Sequence, residues 1–279
     1  RMFSLVAGLG VLAFLVSLFR RIIGLRAAIL SAPLLVAISE FGYQSVSGKV
    51  DILALLFVVA ALAIIEHLPW SRSWRASAFL AGVCIGAALG TKTPVVLYLP
   101  LVALWVVRAF VVARAETRFT PVRVAGLILI ALVGGFLAYS PWIVRGWTEF
   151  RHPLYPFVGH THELGQTLTP YSFVRHVRMT LLTPTQMVSP AFVLLFILGT
   201  VGLVVYRKEP GIWWALAGFA LVLPVPTVIH TEFPLRVRYL LPGFVFLAGI
   251  GGAGIDAIIR NRNSWIRWVS GVIVFLVVV

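Results

Sequence analysis

The chain is poor in the residues that soluble enzymes rely on. Charged residues make up 11% of its 279 positions, whereas 60% are hydrophobic; a typical soluble domain has roughly 25% charged residues. Acidic residues are the scarcest, with nine Asp and Glu against 23 Lys and Arg, for a formal net charge of +14. Because so few charges cannot cover the surface of a water-soluble fold, a soluble globular domain is excluded.

Cysteine pairs and nucleotide-binding motifs are also lacking. The one cysteine, Cys84, lies inside an apolar run, so neither a disulfide nor a cysteine metal site can form within the chain. There is no GxxxxGK motif followed by Ser or Thr, and no GxGxxG after a strand, so an ATP-driven pump or a dinucleotide enzyme has no support. The Gly-rich run from Gly249 to Gly254 favours close helix packing in lipid instead.

What the chain does contain is a succession of apolar runs along nearly its whole length. A membrane-spanning helix needs about 20 mostly apolar residues, and its backbone satisfies its own hydrogen bonds. The pattern predicts an all-α polytopic transmembrane helical bundle, a single domain over residues 1–279 with about nine to ten spans. The predicted spans lie near Met2–Phe19, Ala27–Phe41, Ile52–Leu68, Ser77–Gly90, Val95–Ala113, Val124–Tyr139, Met187–Tyr206, Gly211–Val228 and Pro242–Ile259, with a last one opening at Trp268.

Gaps rich in arginine alternate with poorer gaps, and this alternation predicts the orientation. The positive-inside rule assigns the rich gaps to the cytoplasm. Arg1, the loops around Lys49 and Lys92, and the segments 140–186 and 229–241 then face outward. We therefore expect an integral membrane protein, in which membrane lipids rather than nucleic acid are the partners of the positive charge. The rich gaps hold Arg20, Arg21 and Arg26; Arg72 and Arg75; Arg114, Arg118 and Arg123; Arg207 and Lys208; and Arg260, Arg262 and Arg267.

Residues 140–186 form the one large predicted extramembrane segment. Its aromatic residues stand among basic ones, which is typical of interfacial helices lying on a membrane. Both ends of the sequence predict a fragment of a longer chain, because Arg1 is not a start methionine and Val279 stops within an apolar run shorter than a bilayer.

Five short stretches resemble the GT-C superfamily of membrane glycosyltransferases, which includes the protein O-mannosyltransferases and the aminoarabinose transferases of lipid A. Each stretch is weak alone, but their order covers most of the chain. They are the turn from Arg20 to Arg26, the SGKVD loop from Ser47 to Asp51, the GTKTP step around Lys92, SPWIVRGWTEFRHPLYPF from Ser140 to Phe157, and RVRYLLP from Arg236 to Pro242.

The resemblance implies transfer of a sugar from a polyprenyl-phosphate donor to an acceptor at the outer face. It also implies a location in a bacterial cytoplasmic (inner) membrane. In that superfamily a carboxylate in the first outer loop is the general base, whereas here no Asp or Glu precedes Glu40. The resemblance thus places the base upstream of Arg1 and leaves the catalytic residue unknown. An alternative is a noncatalytic membrane subunit that keeps the scaffold and packs with other subunits in a larger complex; a transporter is a third.

Outer-face cations are the expected ligands of the donor phosphate. Displacing the phosphate leaves charge on the departing oxygens, which fixed cations stabilise. The alternative for each of them is headgroup anchoring by a snorkelling side chain. The candidates are Lys92, Arg236, Arg238, Lys49 and Arg145, of which Lys92 and Arg238 are favoured.

Two further candidate groups lie on the same face. Asp51 is a possible acid of the active-site cavity, or else a helix N-terminal residue favoured by the helix dipole. His160, His162 and Glu163 offer ligands for a divalent metal ion, although solvated loop residues would give the same pattern.

Overall fold

The computed structural model describes residues 2–47, 50–115, 120–153, 190–223 and 237–260, and among these there are helices but no strand. Three short 3-10 helices, Leu68–Trp70, Thr93–Tyr98 and Val237–Leu240, adjoin longer ones. The α-helices are α1 Met2–Ile23, α2 Leu25–Val36, α3 Ser39–Val46, α4 Val50–His67, α5 Trp74–Thr91, α6 Leu99–Ala115, α7 Pro121–Phe150, α8 Pro190–Val205, α9 Pro210–Val222 and α10 Leu241–Arg260.

Six of the described helical segments are long and apolar enough to cross a membrane, and α2 with α3 makes a seventh if the pair is one span. The predicted polytopic helical bundle is thereby confirmed. Helices α8 and α9 are apolar but shorter. The span predicted to open at Trp268 lies outside the described residues. The six segments are Met2–Ile23, Val50–Trp70, Trp74–Thr91, Pro94–Arg114, Val122–Phe150 and Leu241–Arg260.

The second predicted span, Ala27–Phe41, is not one straight helix. Helix α2 ends at Val36, Ile38 takes an extended backbone, and α3 leaves at 75° to α2. Helix α3 carries Glu40 and Gln44, joined by a hydrogen bond from the amide to the carboxylate. Such a polar segment is costly in the hydrocarbon core, which is the physical reason for the break.

Helix α7 is longer than predicted, because it continues past Tyr139 to Phe150 and so includes the start of the predicted outer segment. Pro141 lies inside it and has no N–H to donate to the Leu137 carbonyl. Ser140 Oγ donates to that carbonyl at 2.8 Å instead, and this substitution keeps the helix intact in lipid. The helix ends at Phe150, and the next residue, Arg151, has a left-handed φ of 54°.

The core of the bundle surrounds α10, which packs against α2, α8 and α9. The fully buried Phe246 of α10 has its ring 6.0 Å from that of Phe19 and 5.0 Å from that of Trp105, so α1, α6 and α10 meet there. Helix α1 also contacts α4, and α5 lies between α4 and α7. The α5–α7 half of the bundle is therefore joined to the α10 half through α1 and α4.

Glycines allow α5 and α7 to touch backbone to backbone. A Cβ atom on Gly82 or Gly86 would collide with the carbonyl oxygens of Ala131 and Gly135, respectively. Lipid gives apolar helices no hydrophobic reason to associate, so close packing of small residues is the main attraction between them.

Asp256 forms ionic contacts near the arginine-rich end of the bundle, the end that carries Arg26, Arg114 and Arg260. The fully buried Asp256 carboxylate accepts a hydrogen bond from Tyr206 Oη at 2.6 Å. Its other ionic contacts are to Arg260 Nε at 2.8 Å and to Arg26 Nε at 3.2 Å, the latter as an ion pair without hydrogen-bond geometry. These contacts bring α2, α8 and α10 together at the end that the sequence assigns to the cytoplasm.

Glu66, in the last turn of α4, is buried. Arg108 of α6 donates to it through both Nε and a terminal nitrogen, each at 2.9 Å, and both side chains are almost fully enclosed. Arg108 was not singled out by its sequence context, because a lone arginine within an apolar run gives no sign of its partner.

Replacing Gly82 by alanine should weaken the α5–α7 contact. A methyl group has no space against the Ala131 carbonyl, so we expect the free energy of unfolding to fall by about 1–3 kcal/mol. Thermal unfolding of the purified protein in detergent measures this. Gly126→Ala on α7 is the matched control, since nothing lies within 4 Å of its added Cβ; equal loss in both variants would contradict the packing argument.

Removing one partner of the Glu66–Arg108 pair should be more damaging than removing both. Arg108→Met leaves a buried carboxylate without its cation, at a cost of about 3–5 kcal/mol, whereas Glu66→Met with Arg108→Met should recover most of that stability. Arg114→Met, an exposed arginine on the same helix, is the control. A double variant no more stable than Arg108→Met would show that the pair itself is needed.

Candidate functional site

An ion pair joins the start of α4 to the end of α5. Asp51 lies in the first turn of α4, where the helix dipole favours a carboxylate. Lys92 follows α5 with an extended backbone, just before the 3-10 helix that contains Pro94. Lys92 Nζ donates to Asp51 Oδ1, and both side chains are largely buried. We call the end of the bundle that holds this pair the Lys92 end.

Two tyrosines lie beside this pair. The ring of Tyr239 lies 4.8 Å from Lys92 Nζ, a distance typical of a cation–π contact. Tyr98 Oη donates to the Tyr239 carbonyl at 2.8 Å, which links the start of α6 to the segment that opens α10. Asp51, Lys92, Tyr98 and Tyr239 together border a small cavity of about 20 Å³.

A larger groove of about 420 Å³ opens on the other side of Lys92. Arg145 of α7 lines the same groove, so two cations predicted as phosphate ligands converge there. Trp142 forms part of the wall and packs so closely on Gly90 that a Cβ atom at this glycine would collide with the indole. The complete lining is Leu89, Gly90, Thr91, Lys92, Pro94, Tyr139, Trp142, Arg145, Gly146 and Phe150.

The two cations of the groove are held differently. Arg145 Nε donates to Glu149 Oε2 at 2.9 Å, and about half of each of these side chains is exposed. An exposed pair of this kind contributes only about 0–1 kcal/mol, so an incoming anion can compete for the arginine. Lys92 is more buried, and its ammonium group has three N–H donors, of which Asp51 takes one.

Chemically, the groove suits a ligand with an anionic head and an apolar tail. Lys92 and Arg145 supply positive charge at one place, while Leu89, Trp142 and Phe150 give apolar and aromatic walls next to it. Charge-assisted hydrogen bonds from lysine and arginine to phosphate oxygens are among the strongest that proteins make.

The other predicted ligands fall outside what the structure describes. Lys49, Arg236, His160, His162 and Glu163 lie outside the described residues. The backbone of Arg238 belongs to the 3-10 helix before α10, but its side chain is likewise outside the description. In the parts of the chain that are described, no group of three or more His, Cys, Asp or Glu residues could hold a metal ion, so the metal site stays a prediction.

The sequence does not single out Trp142, Glu149, Tyr98 or Tyr239 as residues of the site. Trp142 and Glu149 stand at helical spacing from the predicted ligand Arg145, and this spacing can be recognised once α7 is known to continue beyond Tyr139. The contact between Tyr98 and Tyr239 joins positions 141 residues apart, and nothing in the local sequence predicts it.

Comparison with known proteins agrees with this architecture. No curated protein sequence matches the chain significantly. The fold is similar to two crystal structures of ArnT from Cupriavidus metallidurans: one bound to undecaprenyl phosphate, at 18% identity with a TM-score of 0.64, and one in the apo state, at 19% identity with a TM-score of 0.66. Each likeness covers 97% of this chain but only 48% and 47% of ArnT, so the chain spans about half the length of that protein.

The sequence profile of the family described as dolichyl-phosphate-mannose-protein mannosyltransferase matches residues 1–146, more than half of the chain. This range includes α1 to α6 and most of α7, and with them Asp51, Lys92 and Arg145. The predicted resemblance to GT-C glycosyltransferases is confirmed, and the chain belongs to the dolichyl-phosphate-mannose-protein mannosyltransferase family.

Proposed function

We propose that the protein takes part in glycosyl transfer from a polyprenyl-phosphate sugar at the outer membrane face, and that the groove between α5 and α7 holds the lipid phosphate of the donor. The observation that carries this proposal is the convergence of Lys92 and Arg145 on one groove with aromatic walls. Membership of the mannosyltransferase family and the undecaprenyl phosphate bound to the structurally similar ArnT support it.

In the proposed reaction the bond between the anomeric carbon of the sugar and a phosphate oxygen breaks, and an acceptor oxygen bonds to that carbon. The acceptor loses its proton to a base that we assign to no described residue. Negative charge grows on the departing phosphate, and Lys92 and Arg145 stabilise it. Asp51 positions the Lys92 ammonium and does not touch the substrate.

The proposed ligand set extends beyond the described groove. The orientation predicted from the arginine pattern also places three other cations on the outer face, namely Lys49, Arg236 and Arg238. Arg238 directly precedes Tyr239, whose ring lies 4.8 Å from Lys92 Nζ. A divalent ion at His160, His162 and Glu163 would add positive charge on this face. Removal of the ion by a chelator would then show whether binding of the donor depends on it.

Loss of Lys92 should weaken binding of the lipid carrier. We expect Lys92→Met to raise the Kd for undecaprenyl phosphate about 10- to 100-fold, because a hydrogen bond to a charged group is lost in a largely enclosed site. Arg145→Gln should have a smaller effect, since its side chain is half exposed. Titration of the full chain in detergent, followed by native mass spectrometry, measures both.

Lys208→Met is the matched control, because Lys208 is an exposed lysine next to Arg207 at the opposite end. Equal affinity in wild type, Lys92→Met and the Lys92→Met/Arg145→Gln double variant would overturn the proposed site. Tight carrier binding without any sugar transfer by the full chain, together with stoichiometric copurification of another membrane protein, would favour the noncatalytic subunit.

Asp51→Asn tests whether this carboxylate balances the charge of Lys92. The variant should be less stable without ligand, since the partly buried ammonium loses its counterion. Undecaprenyl phosphate should then raise the Tm of the variant more than that of the wild type, because the phosphate replaces the missing charge. A smaller ligand-induced shift in the variant would mean that Asp51 is required to present Lys92 to the ligand.

A further inference from the structure

A second cleft lies at the arginine-rich end, remote from the Lys92 groove. Helix α7 packs along α5, and α6 packs against α4 and α9, but α6 and α7 make no extensive contact with each other. The space between them is a cleft of about 100 Å³ whose described lining is apolar throughout, including Ile85, Val106, Phe110, Leu127 and Ile128. About half of the Ile128 surface is exposed at this cleft.

The cleft is elongated along the helices. Its lining extends from Ala78 to Ile85 on α5 and from Val124 to Ala131 on α7, which at 1.5 Å per residue is about 10 Å of helix. It begins within two turns of the ends that carry Trp74 and Pro121. A channel of this length and character suits part of a hydrocarbon chain that runs parallel to the helices.

Two arginines lie within one helical turn of the lining residues Ala78 and Val124, at the mouth of this cleft. The guanidinium groups of Arg123 and Arg75 lie 4.4 Å and 4.8 Å from the ring of Trp74, so two arginines from different helices converge on one indole. Tryptophan is enriched at the headgroup level of membranes. Thr120 caps α7 by accepting a hydrogen bond from the Arg123 N–H at 3.3 Å, which holds the arginine at the helix start.

The backbone adds to the same charge. Helices α5 and α7 both begin at this mouth, and neither has an acidic residue in its first turn. The N-terminus of a helix carries a partial positive charge and free N–H groups, which attract anions and phosphate in particular. Two arginines and two helix starts therefore point to an anion directly above an apolar channel.

We propose that this cleft binds an anionic phospholipid of the leaflet at the arginine-rich end, with an acyl chain between α6 and α7 and the phosphate at Arg75 and Arg123. This lipid is distinct from the glycosyl carrier, because Arg123 and Arg145 stand on α7 about 33 Å apart at 1.5 Å per residue. The proposal does not depend on the function proposed for the Lys92 groove.

Lipid binding to the purified, delipidated full chain tests this site. Native mass spectrometry in parallel titrations with phosphatidylglycerol and phosphatidylcholine gives the preference for the anionic headgroup. We expect the wild type to prefer phosphatidylglycerol roughly 10- to 30-fold, since each arginine near the phosphate adds to the attraction. Arg75→Gln with Arg123→Gln should abolish that preference, and Arg75→Gln alone should reduce it if the double variant does not fold.

Two controls separate the cleft from general surface charge. Arg20→Gln removes an exposed arginine at the same end but away from the cleft, and should leave the preference unchanged. Ala109→Leu fills the cleft with both arginines intact, and should lower occupancy by either lipid, whereas Leu129→Phe on the exposed face of α7 should not. Equal binding of the two lipids by the wild type, or a preference that survives the double variant, would overturn the proposal.

Discussion

A bilayer supplies no partners for buried polar groups, and this constraint organises the described structure. Asp51, Glu66 and Asp256 lie within or beside apolar helices, and each is paired with a lysine or arginine from another helix. An uncompensated charge in such surroundings is expensive. These pairs therefore determine which helices can be neighbours and how the helices are aligned along their axes. Glu66 fixes α4 against α6, and Asp256 fixes α10 against α2.

Between these polar contacts the helices associate by close packing rather than by hydrophobic attraction. The glycines of α5 bring it against the backbone of α7, while the aromatic rings around Phe246 fill the wider centre of the bundle. The candidate groove lies at the end of the α5–α7 contact. One side of the groove is the end of α5 with Lys92, and the other side is the last part of α7 with Arg145. The close glycine contact between α5 and α7 therefore sets the distance between these two cations.

Much of this arrangement could be predicted from the sequence. Apolar runs predict the helices because the length of a span is imposed by the membrane, and the alternation of arginine predicts which ends lie together. The sequence predicts Lys92 and Arg145 as ligands because the positive-inside rule makes cations less expected on the arginine-poor face. The sequence does not predict the bend after α2. Polar residues at the end of an apolar run are compatible both with the end of a span and with a helix that turns along the membrane surface.

The continuation of α7 was missed for a local reason. Proline normally marks a boundary, and only the hydrogen bond from the neighbouring Ser140 to the Leu137 carbonyl shows that the helix survives. Pairings such as Glu66 with Arg108 and Tyr98 with Tyr239 depend on how distant helices face one another. That information is in the packing of whole helices and not in any short pattern.

Because α7 passes through Pro141 without a break, it is a single rod that connects the two faces of the bundle. A rod of fixed length meets a thinner bilayer by tilting. Arg145 is carried on the rod, whereas Lys92 follows the end of the much shorter α5. Because α5 packs against this rod backbone to backbone, the two cations tilt together with it. A change in membrane thickness would then alter the position of the whole groove in the bilayer while the two cations keep their separation.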